Sequence, residues 1–252
     1  MAKNRGLNFD DVVYGIHAVG EALEAREKLR GIHVARDRKK DPPLRRVLDL
    51  AKERNVPVRF EDRSFFARLP FKAHQGVVAI APPFDYADLD DVLYAHREEP
   101  ALFVVLDHLT DPHNVGAILR TAECAGVHAV ILPERRSAGV NATVRKAAAG
   151  AAARVPVVQV VNVARTVHAL QEKGVRVYGA SAEAEAAPMD EADLRGDTAL
   201  VIGAEGSGLA PLVKRECDGL VRIPMKGRLA SLNASVATAV LLYEALRQRS
   251  KD

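Results

Sequence analysis

Three stretches of this 252-residue chain hold polar side chains at positions where they could do chemistry. The first is DHLTDPHNVGAILRTAE, which follows the apolar run ALFVVL. A turn rich in Asp, Pro and His leads there into a helix capped at His113 or Asn114, and Arg120 lies about one and a half helical turns past Asn114. An N-cap and a surface Arg120–Glu123 pair account for the same residues without chemistry. The second is TALVIGAEGSGLAPLVKREC, an apolar run entering a loop with Gly203, Gly206 and Gly208. Glycines let a ligand approach the backbone closely, and Glu205 among them is available to hydrogen-bond a ribose or another substrate. The order GxxGxG is neither the dinucleotide fingerprint nor a P-loop, and a tight strand-to-helix turn would explain the glycines alone. The third is VRIPMKGRLASLNASVATAVLLYEAL. Pro224 and Gly227 fall in a loop before a helix that begins near Ser231, a suitable N-cap. Asn233 and Ser235 lie in its opening turn, where backbone N–H groups can receive a polar ligand, and Leu232, Val236, Ala239, Val240 and Tyr243 form its buried stripe.

The elements that must hold these stretches read as two α/β arrangements. From Tyr14 to about Pro82, YGIHAVGEALEAR, GIHVA, DPPLRRVLDLAKERN, VPVRF, DRSFFARL and GVVAIAPP alternate helix and strand, with Asp41 capping a helix that has prolines in its first turn. Pro82-Pro83 closes this unit, and residues 84–100 form a polar connector with a short helix around Leu89–Tyr94. After Pro100 the apolar runs ALFVVL, HAVIL, VPVVQVV, RVYGAS, TALVIG and GLVRIP are continuous, as in strands covered by helices on both faces. The fold class expected is α/β with a mostly parallel open sheet. The domains expected are 1–84, a linker at 85–100, and 101–252. Such sheets bind ligands at the carboxyl ends of their strands, where all three polar stretches fall.

Composition narrows the function classes. With 48% hydrophobic and 27% charged residues the chain is ordinary globular protein. Its polar start, MAKNRGLNFDD, and the lack of any long apolar run point to a cytoplasmic protein with no membrane span. Cys124 and Cys217 lack a Cys or His at metal-ligand spacing, so neither a zinc site nor a disulfide framework is expected. The net charge of +3 is unevenly spread: residues 1–84 carry 17 Lys/Arg against 11 Asp/Glu, a net of +6, and residues 85–252 a net of −3. Arg36-Asp37-Arg38-Lys39-Lys40 and Arg45-Arg46 are clusters that can track phosphates, although a solvated surface has the same look.

In their order, NVGAILRTAECAGV, VIGAEGSGL and IPMKGRLASLNASVATAVLLYEA resemble the three motifs of the SPOUT superfamily, in particular its TrmH-like (SpoU) RNA ribose 2′-O-methyltransferases, over about residues 101–249. YGIHAVGEAL and HQGVVA resemble the L30e-like substrate-binding unit of members that modify ribosomal RNA. The resemblance implies a deep C-terminal trefoil knot, a homodimer with the terminal helix of each subunit against the other, and S-adenosylmethionine (AdoMet) bound in the knot. It implies that Gly203, Ile223 and Leu232 hold the cofactor, and that Asn114, Arg120, Glu205, Ser231 and Asn233 form the catalytic surface. The implied substrate is a guanosine of 23S ribosomal RNA, with other rRNA or tRNA nucleotides as alternatives. KAAAGA departs from the pattern in having Ala where relatives often carry Ser. Two other readings compete: a non-catalytic rRNA-binding or assembly factor, and a nucleotide-dependent α/β enzyme, which lacks its phosphate loop.

Overall fold

Apolar runs bounded by turns become strands here, and the side on which each strand is covered follows from its pattern. In the computed structural model, which describes residues 8–250, the chain forms two compact units. One extends to Asp85 and takes in Val140–Arg154. The other comprises Tyr86–Gly139 and the chain from Val155 onward. Residues 1–7, the start of the polar opening segment, lie outside the described residues.

The first unit contains β1 (Val12–Tyr14), α1 (Ile16–Glu24), β2 (Gly31–Ala35), α2 (Pro42–Glu53), β3 (Val58–Glu61), α3 (Arg63–Ala67) and β4 (Val77–Ile80). Its sheet has the order β1-β4-β2-β3, with β4 antiparallel to both neighbours and β2 parallel to β3. Asp41 caps α2, its carboxylate accepting from Leu44 N at 3.1 Å, and the prolines occupy the first turn, where an N–H would be unpaired anyway. Val19, Leu23, Leu44 and Val47 of α1 and α2 bury one sheet face with Ile32, Val34, Val77 and Ala79. On the other face Tyr14, Phe66 and Val78 pack with Ala142.

Ala142 belongs to a helix from far along the chain, Ala142–Ala148 (α6), which the sequence reading places inside the second domain. It packs within the first unit. Asn141 caps it, accepting from Thr143 N and Val144 N at 3.0 Å. Arg145, 5% exposed, pairs with Glu27, donates to Pro82 O at 3.2 Å and lies over the Phe84 ring. A buried guanidinium is tolerated only with such partners.

The second unit contains α4 (Leu89–Tyr94), β5 (Leu102–Asp107), α5 (Pro112–Cys124), β6 (Ala129–Pro133), β7 (Val157–Val160), α7 (Val163–Glu172), β8 (Arg176–Ala180), β9 (Ala187–Pro188), β10 (Thr198–Gly203), α8 (Pro211–Glu216), β11 (Gly219–Arg222) and α9 (Ala234–Arg249). All seven strands are parallel, in the order β7-β6-β5-β10-β8-β11-β9. The six apolar runs are six of these strands. The two-residue β9 has no such run and pairs only with β11. Phe103, Val105, Ala199 and Val201 join Val167 and Leu170 of α7 and Val213 of α8 in one core, while α5 packs against α9. From β5 the chain winds outward to β6 and β7, then crosses back so that β10 lies on the other side of β5. The carboxyl ends of β5 and β10 therefore flank the point where the winding reverses, which is where an open parallel sheet has its crevice.

Candidate active site

Gly203 ends β10 opposite Asp107, the last residue of β5. Beyond it the loop doubles back: Ala204 and Gly208 exchange backbone hydrogen bonds at 2.9 and 3.1 Å, and Gly206 and Gly208 have φ of +82° and +67°. A Cβ on Gly203 would fall inside the van der Waals shell of the Gly208 carbonyl and of Leu209 N, so only glycine allows the loop to close there. Asp107, fully buried, secures the far end of the loop. One oxygen accepts from Ala210 N at 2.7 Å and the other meets the His108 imidazole. Sequence reasoning passed over Asp107, although a carboxylate closing a wholly apolar strand at its carboxyl end is the kind of buried polar group that demands partners.

The helix α5 starts earlier than its sequence indicated. Asp111 is its N-cap, accepting from His113 N at 2.9 Å, with Pro112 in the first turn, so neither His113 nor Asn114 caps it. The Asn114 side chain is thereby released to point at other elements. Its Nδ2 donates to Glu205 Oε1 at 2.8 Å, and its Oδ1 accepts from Asn233 Nδ2 at 2.9 Å. Asn233 Nδ2 also donates to Glu205 Oε1 at 2.5 Å, and Ala234 N approaches that oxygen at 3.3 Å. The other end of the Asn233 amide is the true N-cap of α9, accepting from Ser235 N at 3.0 Å and Val236 N at 3.4 Å, which corrects the cap expected at Ser231. One residue from each of the three stretches thus meets in a single hydrogen-bonded cluster.

Beside this cluster lies a cavity of about 420 Å³ whose wall includes Gly203, Glu205, Leu209, Ile223, Ser231 and Leu232. Ser231 makes no hydrogen bond to any described residue and faces this space. Ser181, just past β8, also lines it and went unnoticed in the sequence, though its place after a strand end marks it. Arg120 stands apart: it is exposed on α5, outside the cavity wall and the cluster, and has no ion pair or hydrogen bond among the described residues. The buried stripe expected on α9 is also displaced. Val236 and Tyr243 are 48% and 55% exposed, whereas Thr238, Leu241, Leu242 and Ala245 are buried. Polar and apolar side chains are spread around this helix, so its sequence does not single out one face. Below the loop, Cys217 donates to Val213 O, and burial, with help from Asp218, pushes its thiol up to about 12, which leaves it an inert core group.

The arrangement offers a half-open cavity of mixed polar and apolar lining with glycine-bounded backbone and, at its rim, a carboxylate and two amides fixed by one another. Comparison with known proteins agrees with it. The family described as SpoU rRNA Methylase matches residues 101–243, and the one described as RNA 2′-O ribose methyltransferase substrate binding matches residues 12–87. The chain is 45% identical to the 23S rRNA (guanosine-2′-O-)-methyltransferase RlmB of Pseudomonas syringae, over 94% of this chain and 96% of that protein. It is 42% identical to RlmB of Escherichia coli, over 95% and 99%. Among solved structures, the SpoU methyltransferase AviRb from Streptomyces viridochromogenes in complex with the cofactor AdoMet superposes with a TM-score of 0.76 at 27% identity, covering 96% of this chain and 91% of that one. The stretches that meet at the cavity all lie within the longer of the two family matches, and the chain belongs to the SpoU rRNA methylase family.

Proposed function

We propose that this protein transfers a methyl group from AdoMet to the ribose 2′-hydroxyl of a guanosine in 23S ribosomal RNA. The observation that carries the reading is the meeting of Asn114, Glu205 and Asn233 at the rim of the cavity walled by Gly203, Ile223 and Leu232. Relatives alike over nearly the whole chain are named for this reaction.

The cavity fits the cofactor by its chemistry. Leu209, Ile223 and Leu232 give apolar walls for a flat base, and the cramped loop at Gly203 presents backbone groups rather than side chains. When bound, AdoMet supplies an electrophilic methyl group on a sulfonium. The protein's own residues then have the task of presenting a hydroxyl, a poor nucleophile at neutral pH. Asn114 and Asn233, locked by Glu205, have fixed orientations, and a ribose hydroxyl held beside them and Ser231 meets the cofactor without further ordering cost. A guanidinium offers donors and positive charge but no proton acceptor, so Arg120 positions a phosphate and favours the developing alkoxide rather than acting as a base.

The same reading includes the trefoil knot, the L30e-like character of the first unit, and a homodimer in the cytoplasm. The knot rests on the family resemblance; Ile223, Ser231 and Leu232 wall the same cavity as the loop after Gly203. The dimer is supported by the apolar Val236 and Tyr243, which α9 leaves open to solvent. A cytoplasmic site follows from the ribosomal substrate. Among the described residues no helix is long and apolar enough to cross a membrane. Incubation with methyl-labelled AdoMet and separate 23S, 16S and tRNA transcripts tests the reading. Label in 23S RNA is expected, and label in tRNA alone would overturn the assignment.

A further inference from the structure

A second cavity, of about 450 Å³, opens in the first unit at the carboxyl end of β2. Arg38 and Lys39 come from the loop after β2, Arg63 and Phe66 from α3, and His74 and Gln75 from the turn before β4. That turn is the HQG of the sequence, and nothing in the methyl-transfer site uses it. Two successive residues are left-handed, Gln75 at φ +52° and Gly76 at φ +70°. The first is costly for a side chain other than glycine, and such strain persists only where neighbours hold it. Here Gln75 Oε1 accepts from Ile16 N at 3.1 Å and Gln75 O accepts from the Arg38 guanidinium at 2.8 Å, so one turn ties the loops after β1 and β2 together.

The chemistry of the cavity is that of an anion with a flat ring. Gly76 N donates to His74 Nδ1 at 2.9 Å, which leaves the ring proton on Nε2. Burial first, and the nearby Lys146 second, hold the His74 pKa below the ordinary imidazole value. The ring is thus a neutral aromatic face with one spare donor, backed by Phe66 at 5.0 Å. Lys39 has no partner among the described residues, Arg38 Nε is buried with none, and Arg63 holds only Asp37, at 2.5 Å. Arg38 is also paired with Asp41 at 3.2 Å, so three cations stand against two carboxylates and Lys39 carries the unbalanced charge.

We propose that this cavity grips an unpaired nucleotide of the RNA, its phosphate on Lys39 and Arg63 and its base against His74. Proteins read single-stranded RNA by this combination of backbone charge and stacking. The proposal rests on the reading that the substrate is RNA. Its test is fluorescence anisotropy of the full-length protein with a short unpaired RNA across a salt series. The double variant Lys39→Ala/Arg63→Ala is compared with Lys28→Ala/Arg30→Ala, which removes the same charge at the opposite end of β2. All four side chains are exposed, and thermal melts check that both variants fold. The pocket variant should lose about tenfold or more in affinity, with a salt slope shallower by about 1. The control should bind as the wild type does, and annealing a complementary strand should erase the difference between the two variants. Wild-type RNA binding that the pocket variant shares in full, in affinity and slope, overturns the proposal alone. Absence of RNA binding by the wild-type protein overturns the underlying reading and the proposal with it.

Discussion

Glu205 Oε1 is the meeting point of three donors, Asn114 Nδ2, Asn233 Nδ2 and Ala234 N. A carboxylate serving elements that are 91 and 28 residues away in sequence fixes two amides at once, and this explains why an acidic residue sits among glycines. Arg120 has the opposite character, a free cation with no structural duty in the described chain. Replacing it with alanine should therefore leave stability and AdoMet affinity near wild type while turnover falls about 10²-fold, the scale of a lost electrostatic group. Single-turnover methyl transfer beside calorimetric AdoMet titration checks this, and equal loss in both would place Arg120 in cofactor binding. Gly203→Ala should do the reverse. Its methyl group would force the Gly208 carbonyl away and open the loop, so AdoMet binding should fall below detection in the same titration.

At the scale of elements, what was legible depended on whether local pattern or tertiary contact decided the outcome. Continuous apolar runs announced six strands of the parallel sheet because burial on both faces leaves no alternation, while β9, two residues held only by β11, left no local trace. Asp41 caps α2 as its sequence indicates, whereas the caps of α5 and α9 fell two or more positions away from expectation. Asp111, His113 and Asn114, like Ser231 and Asn233, offer several polar side chains close together, and the choice among them is settled by the cross-element bonds of Asn114 and Asn233. Residues 140–154 read as part of the second unit because nothing in a short Ala-rich helix reveals which sheet will receive it. The last turn of α9 is held by two side chains: Gln248 accepts from Leu194 N and donates to Ala192 O, both at 3.0 Å, and Arg249 reaches further. Arg249 donates to Leu194 O, Pro100 O, Ala101 O and Gly196 O at 2.7 to 3.0 Å, which pins the helix end to the starts of β5 and β10. Arg249→Ala should cost about 2–3 kcal/mol, the range of hydrogen bonds to a charged group, and lower Tm by about 5–10 °C in calorimetry. An unchanged Tm would mean that solvent replaces all four bonds.

For the whole molecule, the two units divide charge and chemistry. The excess of Lys and Arg lies in residues 1–84, and the cavity proposed for the cofactor, with its cluster of polar groups, lies in the second unit, built from strand ends that meet where the sheet's winding reverses. Of the eight site residues expected from the sequence, Asn114, Glu205 and Asn233 form one cluster, and Gly203, Ile223, Ser231 and Leu232 line one cavity. Arg120 joins neither. Their convergence was legible only from the joint order of three motifs, since each alone has an ordinary structural explanation. The most direct measurement is the identity of the methylated nucleoside. 23S RNA is allowed to react with the protein and labelled AdoMet, then digested to nucleosides and analysed by mass spectrometry. The account predicts label in 2′-O-methylguanosine, lost in parallel with turnover when Arg120 is replaced by alanine. Label on a base, or none in the RNA, would contradict it.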